Sequence, residues 1–468
     1  MRIAVVGTGY VGLTTGVCLA SLGHQVIAVD ILSERVAAIN ASKPPFYEPG
    51  LAEMLTAAIV KGRLRATTDL TQAVAASEIT FVTVGTPQAG QDIDLTYVAE
   101  AVRQIGSALR SSPSYHVVAI KSTVLAGTTD TLVRQLLEEN SGKSAGEYGL
   151  CMNPEFLREG SAIDDFLNPD RIVIGHADPK SAQLLADVYD SFECPKVFTS
   201  LRNAEMIKYA SNALLATLIS YSNEIASLCE AIPGTDARAV LDGVHLDRRL
   251  SPIVNGQRIS PGILGFLMAG CGFGGSCLPK DVNALRSRAA KLGVTAHMLD
   301  AVMSVNSERP RLFGNLVEQA LGSLCGAKIA VLGLAFKAGT DDLRESASLA
   351  VIEHVVSKGG AVRAYDPIVT TAPANGSRIN ATLCATAEDA VTGADAALIL
   401  TACPEFSGLD WPALVLRMRR QIILDGRNAL AGILLPPTTR YLSIGRSIEL
   451  AEREERFPVT AESAAATE

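Results

Sequence analysis

Short apolar, β-branched runs alternate with longer Ala- and Leu-rich stretches: Ile3–Val6, Gln25–Val29, Ile79–Val84, Val117–Ile120 and Arg171–Ile174. A strand that is apolar along its whole length has both faces covered, and strands separated by helices return to their sheet in parallel. The first ~200 residues therefore read as a doubly wound α/β domain. From Asn203 to about Cys229, Ala, Leu and Ile recur at helical spacing with no Gly or Pro. That predicts one helix of about 25 residues and about 40 Å. Helical sequence is expected to continue to about residue 320, a block suited to be a spine and a dimerisation element. The first pattern then returns in Lys328–Leu332, Ala361–Tyr365, Ala396–Leu400 and Gln421–Leu424. Gly7 precedes Asp30 by 23 residues and Gly333 precedes Asp366 by 33, so the second domain reads as a degenerate copy of the first. The tail after about Leu450 is charged, then Ala- and Ser-rich, and is expected to be disordered.

Composition narrows the partners. With 48% hydrophobic and 19% charged residues, the chain can bury a large core. A net charge of −8 argues against nucleic acid or an anionic membrane surface as the main partner. The nine cysteines are odd in number and form no CxxC pair, so neither a disulfide framework nor a metal site is expected. Met1-Arg2 runs straight into a strand-like run, leaving no room for a signal peptide. The most apolar helical stretch, Ala213 to Cys229, is interrupted by Ser220, Ser222, Asn223 and Glu224, too polar to span a bilayer. These features favour a reducing cytoplasm.

Strand Ile3–Val6 leads into Gly7-Thr8-Gly9-Tyr10-Val11-Gly12 and then a helix, the context in which a GxGxxG pattern binds a dinucleotide. Gly7 permits the tight turn, Gly9 lets backbone approach a pyrophosphate, and Gly12 lets helix and strand pack closely. The helix N-terminus offers N–H groups to the phosphates. The next strand ends at Asp30, whose carboxylate suits ribose hydroxyls and repels a 2′-phosphate, favouring NAD over NADP. Arg35 weakens that preference slightly.

A second stretch carries nucleophilic chemistry. Gly272-Phe273-Gly274-Gly275-Ser276-Cys277-Leu278-Pro279-Lys280-Asp281 places a thiol after four small residues, a backbone that can come close to a ligand. Asp281 lies near it if a helix starts at Pro279. A hydride acceptor and a cysteine together suit oxidation of an alcohol to an aldehyde, capture as a thiohemiacetal, a second oxidation to a thioester, and hydrolysis to a carboxylate. A one-step alcohol dehydrogenase has no use for the thiol. A non-catalytic nucleotide-binding regulator would need neither the thiol nor a partnering lysine.

Taken together, GTGYVG (7–12), FYEPGL (46–51), VGTP (84–87), KSTV (121–124), NPEFLREG (153–160), KYASN (208–212), GFGGSCLPKD (272–281), GLAFKAGTDDLRES (333–346), YDP (365–367) and DGRN (425–428) resemble the UDP-glucose/GDP-mannose dehydrogenase family over nearly the whole chain, in its order. The resemblance implies two Rossmann-like doubly wound domains joined by a long central helix and a helical dimerisation block. Residues 1–200 would bind NAD, 201–320 carry the catalytic cysteine, and 321–450 bind the UDP-sugar. It implies four-electron oxidation of UDP-glucose to UDP-glucuronate, or the same chemistry on GDP-mannose or a UDP-N-acetylhexosamine, by a homodimer or larger homo-oligomer.

It also implies roles. Cys277 would be the nucleophile. Lys208 and Asn212, four apart and so on one helix face, would stabilise an oxyanion. Asp281 would act as general base with Lys208 and a water, or in the later hydrolysis. Thr123 and Glu155 would orient the hydrolytic water, and Glu159 would lie at the nicotinamide. Thr86 and Thr123 join the cofactor set, with Arg344 reaching toward the pyrophosphate across an interdomain cleft. Phe156, Leu157, Arg158, Phe273, Gly274, Lys337 and Arg427 would contact the sugar nucleotide, with Phe336 near the uracil. The family's substrate-reaching arginine from the neighbouring subunit matches Arg258 better than Arg249, because Pro261-Gly262-Ile263-Leu264 continues its pattern. Leu125-Ala126 replaces the family's frequent Pro-Val. Leu278 stands where many members have Phe and GDP-mannose enzymes also have Leu.

Overall fold

A computed structural model describes residues 1–370 and 379–447. The tail expected to be disordered after Leu450 lies outside these residues. The chain divides into two compact units, Met1–Ser211 with Asn283–Val294, and Asn212–Val282 with Thr295 onward.

The first unit holds an eight-stranded sheet of β1 (Arg2–Val6), β2 (Gln25–Val29), β3 (Leu64–Thr67), β4 (Ile79–Val82), β5 (Val117–Ile120), β6 (Gly149–Met152), β7 (Ile172–His176) and β8 (Lys196–Ser200). Their spatial order is β8-β7-β6-β5-β4-β1-β2-β3. β1 shows why these strands read as unbroken apolar runs. Ile3 and Val5 enter one buried cluster, Ala4 and Val6 another on the opposite face. The reversal of order at β1 and β4 brings the ends of these strands to the switch point where α/β sheets bind ligands. All neighbours are parallel except β6 and β7, which pair Cys151 with His176 in antiparallel fashion. The connection between them holds only the six-residue helix Ala162–Leu167, too short to cross the sheet as a full parallel connection does.

The second unit repeats the plan with β9 (Lys328–Leu332), β10 (Ala361–Tyr365), β11 (Thr382–Leu383), β12 (Ala396–Ile399), β13 (Ile422–Asp425) and β14 (Arg440–Ser443), in order β11-β10-β9-β12-β13-β14, all parallel. Ile329 and Val331 face one buried cluster, Ala330 and Leu332 the other.

Five helices matter below: α1 (Tyr10–Ser21), α2 (Leu201–Ala231), α3 (Leu278–Lys291), α4 (His297–Leu321) and α5 (Ala347–Ser357). α2 runs 31 residues, slightly longer than expected at both ends, and starts where Ser200 ends β8. The expected helical block is interrupted. Residues between Leu246 and Cys277 form a two-stranded hairpin, Ile253–Val254 with Gln257–Arg258, a short 3₁₀ turn at Gly262–Phe266, and loop. Prolines and glycines there deny a helix its hydrogen bonds and rigidity.

Candidate active site

The first unit builds a turn with no room for a side chain at Gly7 or Gly12. Gly7 has φ of 97°, and a Cβ on it would sit 2.9 Å from Val84 N. A Cβ on Gly12 would lie 1.8 Å from the Gly7 carbonyl oxygen, so only glycine lets α1 pack here. At Gly9 a Cβ would meet nothing within 4 Å, leaving the start of α1 open to an approaching group. The first N–H groups of a helix have no partners within it. Asp30, buried at the end of β2, accepts the Thr8 amide (3.0 Å) and hydroxyl (2.6 Å) at Oδ2, with Arg35 at 3.1 Å, and the Leu32 amide at Oδ1. Burial alone would raise this carboxyl, but those donors outweigh it and hold it below the ordinary range. Oδ1, with one donor, retains capacity for a ribose hydroxyl. The open Gly9, the helix start and this acid fit NAD. Arg35 is committed to Asp30, which reduces the pull toward a 2′-phosphate expected of it.

The Tyr10 hydroxyl donates to Glu48 of the FYEPGL segment, whose carboxylate also accepts the Gly160 and Ala162 amides at 2.7 Å each. Glu159, half-buried, faces Tyr10 with its charge. The Thr86 hydroxyl donates to the Thr123 carbonyl at 3.0 Å. Glu155 and Lys208 form an ion pair of 2.9 Å, both nearly sealed from solvent. Glu155 also accepts the Leu157 amide at 2.6 Å. Burial would raise the Glu155 carboxyl, yet Lys208, the Leu157 amide and Lys121 hold it low. The Phe156 ring carries Arg171 at 4.0 Å and Lys208 at 5.5 Å from its centroid. Glu155 and Glu159 lie in loop, not helix. Arg158 pairs with Asp165 at 2.5 Å.

The second unit presents the thiol. Cys277 is exposed, with the Ser276 hydroxyl 3.6 Å from Sγ. Its carbonyl accepts the Asp281 amide at 2.9 Å, which places it at the N-terminus of α3. Asp281, 1% exposed, takes Asn212 Nδ2 on one oxygen and Lys280 Nζ on the other, each at 2.6 Å. The loop before the thiol is fastened by side chains. Asn306 accepts the Phe273 amide at 2.7 Å and donates to its carbonyl at 3.0 Å. Asn223 accepts the Gly270 amide, and buried Arg309, paired with Glu230, reaches the Gly270 carbonyl.

Packing requires two of the loop's glycines. A Cβ on Gly274 would sit 2.0 Å from the Glu345 carbonyl, and one on Gly275 would strike the Phe336 ring at 2.8 Å. Lys337 Nζ lies 5.8 Å from that ring's centroid, and Arg344 pairs with Asp342 at 2.8 Å. Arg427 donates to the carbonyls of Leu400 and Gly272. Arg258 donates to the carbonyls of Leu246 and Ser251, whereas Arg249 pairs with Asp247 on the surface. The sequence reading missed Lys121, Asn223, Asn306 and Arg309. Lys121 sits inside the quoted KSTV, but its partner Asn153 is 32 residues away. None of the nine cysteines is disulfide-bonded, and among the described residues no helix is long and apolar enough to cross a membrane.

Three family models, all described as UDP-glucose/GDP-mannose dehydrogenase family, match the chain: an NAD binding domain over residues 1–193, a central domain over 202–308 and a UDP binding domain over 330–432. A UDP-glucose 6-dehydrogenase of Rhizobium meliloti is 40% identical over 457 residues, 95% of this chain and 100% of that protein. A GDP-mannose 6-dehydrogenase of Azotobacter vinelandii is 39% identical over 427 residues, 88% of this chain and 94% of that one. A solved UDP-glucose dehydrogenase structure from Pyrobaculum islandicum superposes with a TM-score of 0.85 at 37% identity, covering 95% of this chain and 98% of that one.

Proposed function

The chain belongs to the UDP-glucose/GDP-mannose dehydrogenase family, an NAD-dependent oxidoreductase of nucleotide sugars, and from that premise we propose that it oxidises the C6 hydroxyl of UDP-glucose to a carboxylate through Cys277. The observation that carries this reading is an exposed cysteine at a helix N-terminus, with the buried Asp281–Asn212 pair one turn along. The positive end of a helix favours a thiolate there.

NAD, held by the Gly7–Gly12 turn and Asp30, supplies the hydride acceptor for each of the two two-electron oxidations. After the first, the alcohol carbon is an aldehyde. The Cys277 sulfur adds to it, forming a C–S bond and an oxyanion that Lys208 and Asn212 stabilise. After the second oxidation the carbon is a thioester. Water, oriented by Thr123 and Glu155 with Asp281 as base, breaks the C–S bond and returns the thiol with a free carboxylate. Glu159 belongs at the nicotinamide. Arg344 completes the cofactor set. Phe156, Leu157, Arg158, Phe273, Gly274, Phe336, Lys337 and Arg427 contact the sugar nucleotide, and Arg258 reaches the one held by the neighbouring subunit.

The same reading divides the chain at about residues 200 and 320. Leu214, Tyr221 and Leu228, exposed at seven-residue spacing along α2, support a homodimer built on that helix. Nine cysteines without a disulfide support a reducing cytoplasm.

NADH yield tests the reaction. Two molecules per UDP-glucose consumed are expected, and a yield of one would refute the thiol route. Cys277→Ser should bind NAD and UDP-glucose yet release no glucuronate. GDP-mannose and UDP-N-acetylhexosamines, supplied in parallel, should give slower NADH formation. A faster rate with either reassigns the substrate.

A further inference from the structure

Lys121 follows β5 and is buried, with no carboxylate at ion-pair distance among the described residues. A buried ammonium without a direct ion-pair contact is costly, which points to a use for its charge. Nζ donates to Asn153 Oδ1 at 3.0 Å and reaches the Asn153 carbonyl at 3.5 Å. Asn153 is itself held in every direction. Its Oδ1 accepts the Tyr189 hydroxyl at 2.6 Å, its Nδ2 donates to the Val173 carbonyl, and its amide donates to the Ile120 carbonyl. Asn153 opens the loop after β6, and Glu155 lies two residues further along it.

The groups around the ammonium come from four elements. Glu155 on the loop attracts it, Lys208 on α2 repels it, the Tyr189 hydroxyl shares its acceptor, and the Phe81 ring of β4 lies 5.9 Å away. Burial pushes Lys121 down to about 8, Glu155 opposes that fall, and Lys208 adds to it. Lys121 in turn helps hold the Glu155 carboxyl low.

We propose that Lys121 is a positioning residue of the reaction: it holds Asn153, and through it the loop presenting Glu155, and its charge joins that of Lys208 in keeping Glu155 a carboxylate. This rests on the reading of Glu155 and Lys208 as reacting groups given above. Removing a positive charge beside a carboxylate raises its pKa. Glu155 orients the water as a carboxylate, so its titration contributes to the acid limb of the pH–rate profile beside that of the base, and this contribution moves to higher pH when Lys121 is neutralised.

The test compares Lys121→Met, Lys121→Gln and Lys121→Arg by kcat against pH with UDP-glucose, by NAD titration, and by thermal melting. Lys121→Met is expected to lower kcat about 30-fold and to move the acid limb up by about one pH unit. NAD affinity should stay within about twofold, and Lys121→Arg should restore the limb and most of the rate. If Lys121→Met does not fold, Lys121→Gln, an amide donor without the charge, takes its place, with the same shift of the acid limb and a smaller loss of rate expected. An unmoved acid limb in the neutral variant, or Lys121→Arg no better than it, overturns the proposal. Glu155→Gln separates the two readings. Wild-type rate and limb in that variant would remove the role of Glu155 and this proposal with it. A lost limb there, beside an unmoved one in Lys121→Met, would remove Lys121 alone.

Discussion

After β1 the chain enters a helix three residues beyond Gly7; after β9 it takes 14 residues from Gly333 to reach α5. Both turns begin with a glycine in the left-handed region, φ 97° at Gly7 and 94° at Gly333. Both are tied to a buried aspartate at the end of the neighbouring strand. Asp30 takes one backbone amide on Oδ1, and Thr8 and Arg35 on Oδ2. Asp366 takes two backbone amides on each oxygen: Leu334 and Ala335 on one, Ile368 and Val369 on the other. The first acid keeps capacity for an outside hydroxyl; the second is consumed by its own backbone. The longer second loop is used for internal contacts. The Ser346 hydroxyl donates to the Leu334 carbonyl, and the Arg344 carbonyl accepts the Gly275 amide two residues before the thiol. One device thus appears twice, open to a cofactor in one copy and turned to holding the Cys277 loop in the other.

Gly12→Val should break the comparison most severely. Its Cβ would meet the Gly7 carbonyl, and NAD affinity should fall more than about 100-fold by calorimetric titration. Retained affinity would mean that the first turn is not the cofactor site. Asp366→Ala should leave four amides without an acceptor and cost about 3 kcal/mol in urea denaturation, while NAD affinity stays unchanged. An NAD defect in that variant would deny the division of labour. Asp30→Ala should raise the NAD Kd about 20-fold with a smaller loss of stability, and an effect on stability alone would make the two acids equivalent. The smallest effect concerns pH. Asp30 is held below its ordinary range, so its share of stability is present above the unfolded value of about 3.9 and is lost as pH falls through the lower folded value. The drop in urea midpoint from about pH 5 to about pH 3 should be smaller in Asp30→Asn than in the parent, and equal drops would show that Asp30 gains nothing on folding.

How far the fold was legible follows from its strands. Gln25–Val29, Val117–Ile120, Lys328–Leu332 and Ala361–Tyr365 are found with the expected bounds, because each is mainly β-branched and small apolar residues and is followed by a polar residue or glycine. Leu64–Thr67, Gly149–Met152, Lys196–Ser200, Thr382–Leu383 and Arg440–Ser443 were not anticipated. Sequences such as GLCM or RYLS have little strand character alone and become strands beside one already formed. The reversed pairing of β6 and β7 was equally hidden, since strand direction depends on the whole connection. At the site, residue types were legible and partnerships were not. Cys277 and Asp281 stand out by flank and spacing, and Lys208 by its match to the family's pattern. That Asp281 would meet Asn212 across 69 residues, or that Asn306 would grip Phe273 across 33, has no local mark.

What the sequence determined by itself is what short-range sterics and spacing decide: which glycines a turn requires, where continuous apolar runs become covered strands, and the ordered motifs that place the chain in its family. Only the tertiary structure decided which charges are sealed from water and what they face. The roles of Glu155 and Lys208 could be expected from the motifs, but that they and Lys121 share one low-dielectric interior follows only from three separate elements folding together, where a charge acquires its meaning from its neighbours.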